Sequence, residues 1–174
     1  MPAIFVTPLS QVEPAIRRYK PSHMMTLLSP GHMIETPDGI DVARHLKLGL
    51  NDVTTTDLAE DPPNSAHVER LIEFGRSWDA KSPMLIHCWA GISRSMAAAY
   101  ILLCDRFGPF REKEIAKAMR ARAPHAYPNP LLVELADKAL GRNGRMVIGA
   151  ESIGRGVIVA EGEIVELPLS ADEL

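Results

Sequence analysis

The feature that most constrains this chain is the stretch LIHCWAGISRS at residues 85–95. Leu85 and Ile86 end an apolar run of the kind that forms a buried strand, and the alanine-rich segment after Ser95 reads as a helix. Gly91 lies in the short connection, where it permits a tight backbone path that a side chain would block. A strand that passes through such a loop into a helix points successive peptide N–H groups inward and adds the positive end of the helix dipole, which makes an anion cradle. Cys88 opens the loop and Arg94 closes it. Electropositive surroundings favour thiolate at neutral pH, and a planar guanidinium fork can hold two phosphate oxygens at once. Ser95 offers a hydroxyl that steadies the sulfur when it leaves. Nucleophile and oxyanion clamp then share one concavity, the arrangement in-line attack on phosphorus needs.

The flanking sequence indicates the layers around this unit. AIFVT, HMMTLLS, ARHLKLGLND and PMLIHC read as strands, with SQVEPAIRRYK a helix opened by Ser10 and AHVERLIEFGRSWD a helix capped by Ser65. SRSMAAAYILLCDRF is apolar nearly all round, so it belongs in the core; REKEIAKAMRAR is amphipathic, and NPLLVELADKALGR begins with a helix-compatible proline. The order predicts an α/β fold: a central, mostly parallel sheet of four to five strands flanked by helices. Residues 141–174 read as an appendage, in which GRMVIGAESIGRG extends the helical layer and VIVAEGEIVEL forms a hairpin around Glu161 and Gly162. One domain spanning 1–174, with its core at about 3–140, is expected from the length.

Bulk properties exclude several classes. A formal net charge of −3 provides no basic field for nucleic acid. No apolar run reaches membrane-spanning length, and residues 1–14 carry neither the basic nor the apolar region of a signal peptide, so a cytoplasmic protein is expected. Two cysteines, Cys88 and Cys104, give no disulfide framework, and Cys104 in the alanine-rich helix reads as core. No cluster of His, Cys and carboxylate residues has metal-ligand spacing.

HCWAGISRS resembles the signature loop H-C-x5-R-S/T of the cysteine-dependent protein tyrosine phosphatases, in the form found in their dual-specificity branch. HLKLGLND is similar to the strand that delivers the acidic residue in that branch, and RARAPHAYPNPLLVEL to a later segment whose helix packs near the site. The resemblance covers about residues 3–140. It implies that Cys88 attacks phosphorus to form a cysteinyl-phosphate. Arg94 and the amides of Trp89, Ala90, Gly91, Ile92 and Ser93 would hold the oxygens, and Ser95 would assist the sulfur. An aspartic acid would protonate the leaving oxygen and then, as carboxylate, activate the hydrolytic water. It also implies that no cofactor or metal is needed, that His87 orders the loop, and that Asn129 sits near it. Phosphate, sulfate or vanadate would occupy the cradle.

Three aspartates precede the loop. Asp52 follows its strand directly and ranks first; Asp57 and Asp61 are the alternatives, the latter just before Pro62 and Pro63. Trp89 could shape the pocket wall, and Arg122 and Tyr127 could line its rim. The leading expectation is a phosphatase acting on protein phosphotyrosine, with phosphoserine and phosphothreonine as further substrates. The uncharged WAGIS speaks against a polyphosphorylated lipid head group. A nucleotide, RNA or lipid phosphomonoester remains the alternative substrate, and a catalytically weak phosphate-binding module the alternative class.

Overall fold

A computed structural model describes residues 2–170; residue 1 and residues 171–174, the ends of the expected single-domain span, lie outside the described residues. Among the described residues five strands form one sheet: β1 (Ala3–Pro8), β2 (His23–Leu28), β3 (His45–Gly49), β4 (Met84–Cys88) and β5 (Val165–Pro168). Their spatial order is β3-β2-β4-β1-β5. β1, β2, β3 and β4 run parallel, whereas β5 is antiparallel to β1. Every residue of β1, β2 and β4 is buried, as expected of strands covered on both faces. The α/β architecture with a mostly parallel sheet is therefore the one the sequence predicts.

Six α-helices are present among the described residues: α1 (Val12–Tyr19), α2 (Ser65–Ser77), α3 (Arg94–Phe107), α4 (Glu112–Arg122), α5 (Pro130–Ala139) and α6 (Arg145–Glu151). α3 is buried continuously from Arg94 to Cys104, which explains its apolar character on all sides. The larger core cluster joins the sheet to α2, α3, α4 and α5, while Phe5, Met24 and Leu85 form a second cluster with Val12, Ala15 and Ile16 of α1. Tyr100 is wholly buried on α3, and its hydroxyl lies 3.1 Å from the carbonyls of both Glu112 and Met146, which share its one proton and tie α4 and α6 to it. No helix among the described residues is long and apolar enough to cross a membrane.

Three local expectations are corrected. Ser10 does not cap α1: it lies in a 3-10 turn, Leu9–Gln11, and its hydroxyl donates to the Glu161 carboxylate. Asn64, not Ser65, caps α2. Its side chain accepts from the His67 amide at 3.1 Å and its own amide donates to His67 Nδ1 at 3.2 Å, a capping box with histidine in place of glutamate. The tail forms α6 as expected, but no hairpin. Residues 155–164 run as an irregular strap, and Val165–Pro168 pairs with the open edge of β1. That edge offers unpaired backbone groups, and the strap amides are engaged elsewhere, Val157 N–H with the Pro124 carbonyl and Gly162 N–H with Ala90.

Candidate active site

The loop between β4 and α3 owes its shape to what surrounds it. The carbonyls of Cys88, Trp89, Ala90, Ile92 and Ser93 each meet a donor group, and that of Gly91 lies near His125. The Cys88 carbonyl faces His87 Nδ1 at 3.1 Å, and those of Trp89 and Ala90 accept from the amides of Leu9 (3.0 Å) and Gly162 (2.8 Å). The Gly91 carbonyl faces the His125 ring. The Ile92 carbonyl accepts from the Tyr127 amide (2.9 Å), and that of Ser93 from the amides of Ala97 (2.9 Å) and Asn129 (3.2 Å). All these peptides are trans. In a planar trans peptide the N–H points opposite to the C=O. With these carbonyls bound to their partners, the amides of the same peptides point away from those partners, just ahead of the N-terminus of α3. A run of loop amides at a helix N-terminus is the kind of arrangement that suits an anion.

Gly91 is required there for two reasons. Its φ is +70°, a conformation other residues adopt with strain, and a Cβ would lie 2.7 Å from Pro8 N and 2.8 Å from the Thr7 carbonyl carbon. The loop thus lies flat against the end of β1.

Cys88 is 2% exposed and lies on the floor of a cleft of about 410 Å3, where its Sγ is 3.1 Å from Ser95 Oγ. Trp89, Ala90, Ile92, Ser93, Arg94, Asp52, Thr54, Tyr127, Asn129 and Pro130 line the same cleft. Arg94 is 6% exposed; its Nη1 donates to the Leu50 carbonyl at 2.9 Å, which fixes the guanidinium against the end of β3. Its Nε is buried with no partner among the described residues. A buried N–H without an acceptor is expensive unless a ligand supplies one, so this atom points to an oxyanion.

The three aspartates separate clearly. Asp52 Oδ1 accepts from Ser93 Oγ at 2.7 Å and from Asn129 Nδ2 at 3.0 Å, so the carboxylate is held beside the loop. Asp57 lies on an exposed 3-10 turn outside the cleft, its carboxyl held below the ordinary range by the Thr55 hydroxyl. Asp61 acts through its backbone. Its amide donates to Asn51 Oδ1 (3.0 Å) and its carbonyl accepts from the Asn51 amide (2.7 Å), which closes the base of the loop that carries Asp52. Asn129 serves both readings given to it: Oδ1 caps α5 through the Leu132 amide, while Nδ2 binds Asp52 and the Val53 carbonyl. Trp89 is 55% exposed, lines the cleft and meets the His32 ring edge-on at 5.4 Å. Tyr127 is a rim residue with Arg155 over its ring, whereas Arg122 is not among the cleft-lining residues.

A buried polar chain runs behind the nucleophile. Thr26 Oγ1 is 2.7 Å from His87 Nε2 and 2.7 Å from His45 Nε2, and His45 Nδ1 is 2.8 Å from Thr36 Oγ1. Both rings are pushed down to about 4, chiefly by burial, so both are neutral at pH 7. One polarity then satisfies every member. The Cys88 carbonyl can only accept, so His87 Nδ1 carries the proton and Nε2 accepts from Thr26; Thr26 accepts from His45 Nε2–H, and His45 Nδ1 accepts from Thr36. Sequence reasoning identified His87 but missed Thr26 and His45. The available signal was a threonine inside the otherwise apolar MMTLL strand. Cys104 is wholly buried, and burial raises its thiol to about 12, in keeping with a core role. Among the described residues no group of three or more His, Cys, Asp or Glu could hold a metal ion.

No protein-family model matches this chain, and no curated protein matches it. Solved structures do. The crystal structure of human DUSP28 is 21% identical, covers 79% of this chain and 91% of its own, and superposes with a TM-score of 0.59. That of the human tyrosine phosphatase-like serine/threonine/tyrosine-interacting protein is 19% identical over 80% of this chain and 91% of its own, at a TM-score of 0.61. PTPMT1, solved in complex with PI(5)P, is 16% identical over 85% of this chain and 88% of its own, with a TM-score of 0.55.

Proposed function

We propose that this chain, which has the fold of the dual-specificity branch of the cysteine-dependent phosphatases, hydrolyses phosphomonoesters of protein tyrosine, and of serine and threonine, through a cysteinyl-phosphate. The observation that supports the reading is one cleft lined by Cys88, Arg94 and Asp52, in which Arg94 Nε is buried without a partner among the described residues.

The steps follow from these positions. A phosphate dianion seats on the amides and Arg94, which bring its phosphorus in line with Sγ and spread the charge of its equatorial oxygens. The Cys88 sulfur forms the S–P bond as the ester P–O bond breaks, and Asp52 gives its proton to the departing oxygen. Asp52, now a carboxylate, takes a proton from water as that water attacks the phosphorus; the S–P bond breaks, and Ser95 stabilises the leaving thiolate through its hydrogen bond to Sγ. Ser93 and Asn129 keep the Asp52 carboxyl beside the loop through both steps.

The uncharged WAGIS residues favour a single phosphate group over a polyphosphorylated lipid head group, although one structural neighbour holds PI(5)P. Cys88, Arg94 and Asp52 in one cleft favour turnover over mere binding. The test is hydrolysis of para-nitrophenyl phosphate in the presence of a metal chelator. Wild-type protein should turn over and Cys88→Ser should not, while phosphotyrosine peptides should be better substrates than phosphoinositides. Activity retained by Cys88→Ser would overturn the reading.

A further inference from the structure

Of the donors that hold the loop carbonyls, one comes from the appended tail. Gly162 N–H binds the Ala90 carbonyl at 2.8 Å. The Ala90–Gly91 peptide is the one in the loop least able to hold its own orientation. Turning a peptide over exchanges ψ of the residue before it against φ of the residue after it. Here the residue after it is glycine, which tolerates φ of either sign. The same glycine that lets the loop lie against Thr7 and Pro8 thus removes the steric barrier to a flip. A flipped peptide would aim the Ala90 carbonyl oxygen at the bound oxyanion in place of the Gly91 N–H.

We propose that Gly162 is a positioning residue of the anion cradle: its N–H clamps the Ala90 carbonyl and so keeps the Gly91 N–H turned toward the bound oxyanion. The tail is built to deliver this donor. It is pinned before Gly162 by the Val157 amide on the Pro124 carbonyl (2.9 Å), by Arg120 on the Gly154 carbonyl (3.0 Å) and by Ser10 on the Glu161 carboxylate. After Gly162 it is pinned by the pairing of β5 with β1. The approach is close. A Cβ at position 162 would lie 2.6 Å from His125 Nε2 and 3.2 Å from the Gly91 carbonyl oxygen. His125, which faces that carbonyl, is thereby held between the strap and the loop.

This inference rests on the phosphatase reading, and its test separates the two. In wild-type protein, exchange of the Gly162 amide is followed by NMR with and without tungstate as the oxyanion probe. Because coupling is reciprocal, tungstate should slow that exchange. Two variants isolate the donor, since Gly162→Ala and Gly162→Pro both add a Cβ but only the alanine keeps the N–H. Gly162→Pro should bind tungstate at least about tenfold more weakly than Gly162→Ala, the scale of one lost hydrogen bond. If Gly162→Pro does not fold, the exchange measurement decides alone. Wild-type protein that binds no tungstate overturns the phosphatase reading together with this one. Wild-type protein that binds tungstate with unchanged Gly162 exchange, or folded variants of equal affinity, overturns the positioning role only.

Discussion

Replacing Thr26 by valine tests the buried chain behind the nucleophile. Valine keeps the shape of threonine and removes only the hydroxyl, so the loss is polar. Thr26 and His87 are both 0% exposed, so neither can recruit solvent without rearrangement. Two hydrogen bonds of 2.7 Å disappear, each worth about 1 kcal/mol net, and His87 Nε2 is left buried with no donor, at about 1–3 kcal/mol. The first of these losses overlaps the second, which gives about 2–4 kcal/mol in all. For a chain of this size each kcal/mol moves the midpoint by about 2–4 °C, so Thr26→Val should melt roughly 5–15 °C lower at pH 7. Thr26→Ser restores the hydroxyl and gives up one methyl, about 1 kcal/mol, and should recover most of the difference. Thermal melts of the three proteins are the assay. A valine variant that melts with wild type, or that melts above the serine variant, would refute the chain as drawn.

The same two histidines set a pH dependence. Both are held near 4 in the fold against an ordinary 6.5, so below 6.5 the unfolded chain binds protons that the folded chain does not. Stability should be whole above about pH 6.5 and fall as pH drops toward 4, by roughly 3 kcal/mol for fully buried His87; urea midpoints flat across pH 7 to 4.5 would contradict this. Asp52→Asn should lower kcat on a phosphotyrosine peptide about 100-fold and flatten the acidic side of the pH profile, with Asp57→Asn close to wild type; the reverse pattern would move the general acid to Asp57. Gly91→Ala should lose roughly 3 kcal/mol of stability together with tungstate binding, because its Cβ meets backbone that cannot withdraw. Normal anion affinity in that variant would show that the loop does not lie against β1.

What could be read from the sequence was local. Strand, loop and helix follow one another within residues 84–107, so LIHCWAGISRS carries its own geometry, and the position of Asp52, three residues past the end of β3, could be read as the start of the loop after that strand. Neighbouring residues with equal capping chemistry were not legible. Asn64 and Ser65 can both cap, and the choice fell to Asn64 because His67 answers it. The relay through Thr26 and His45 depends on strand register, which places Thr26 beside His87 only once β2 and β4 are known to be parallel neighbours. The tail was misread for a similar reason. Its alternating residues suit a hairpin, yet the open edge of β1, more than 150 positions earlier in the chain, competes for the same backbone groups.

Trapping the reaction halfway tests the central claim most directly. Asp52→Asn, mixed with excess aryl phosphate, quenched in acid and digested, should yield one peptide heavier by a single phosphoryl group, with the label on Cys88. A label on another residue, or catalytic turnover without any label on Cys88, would contradict the account.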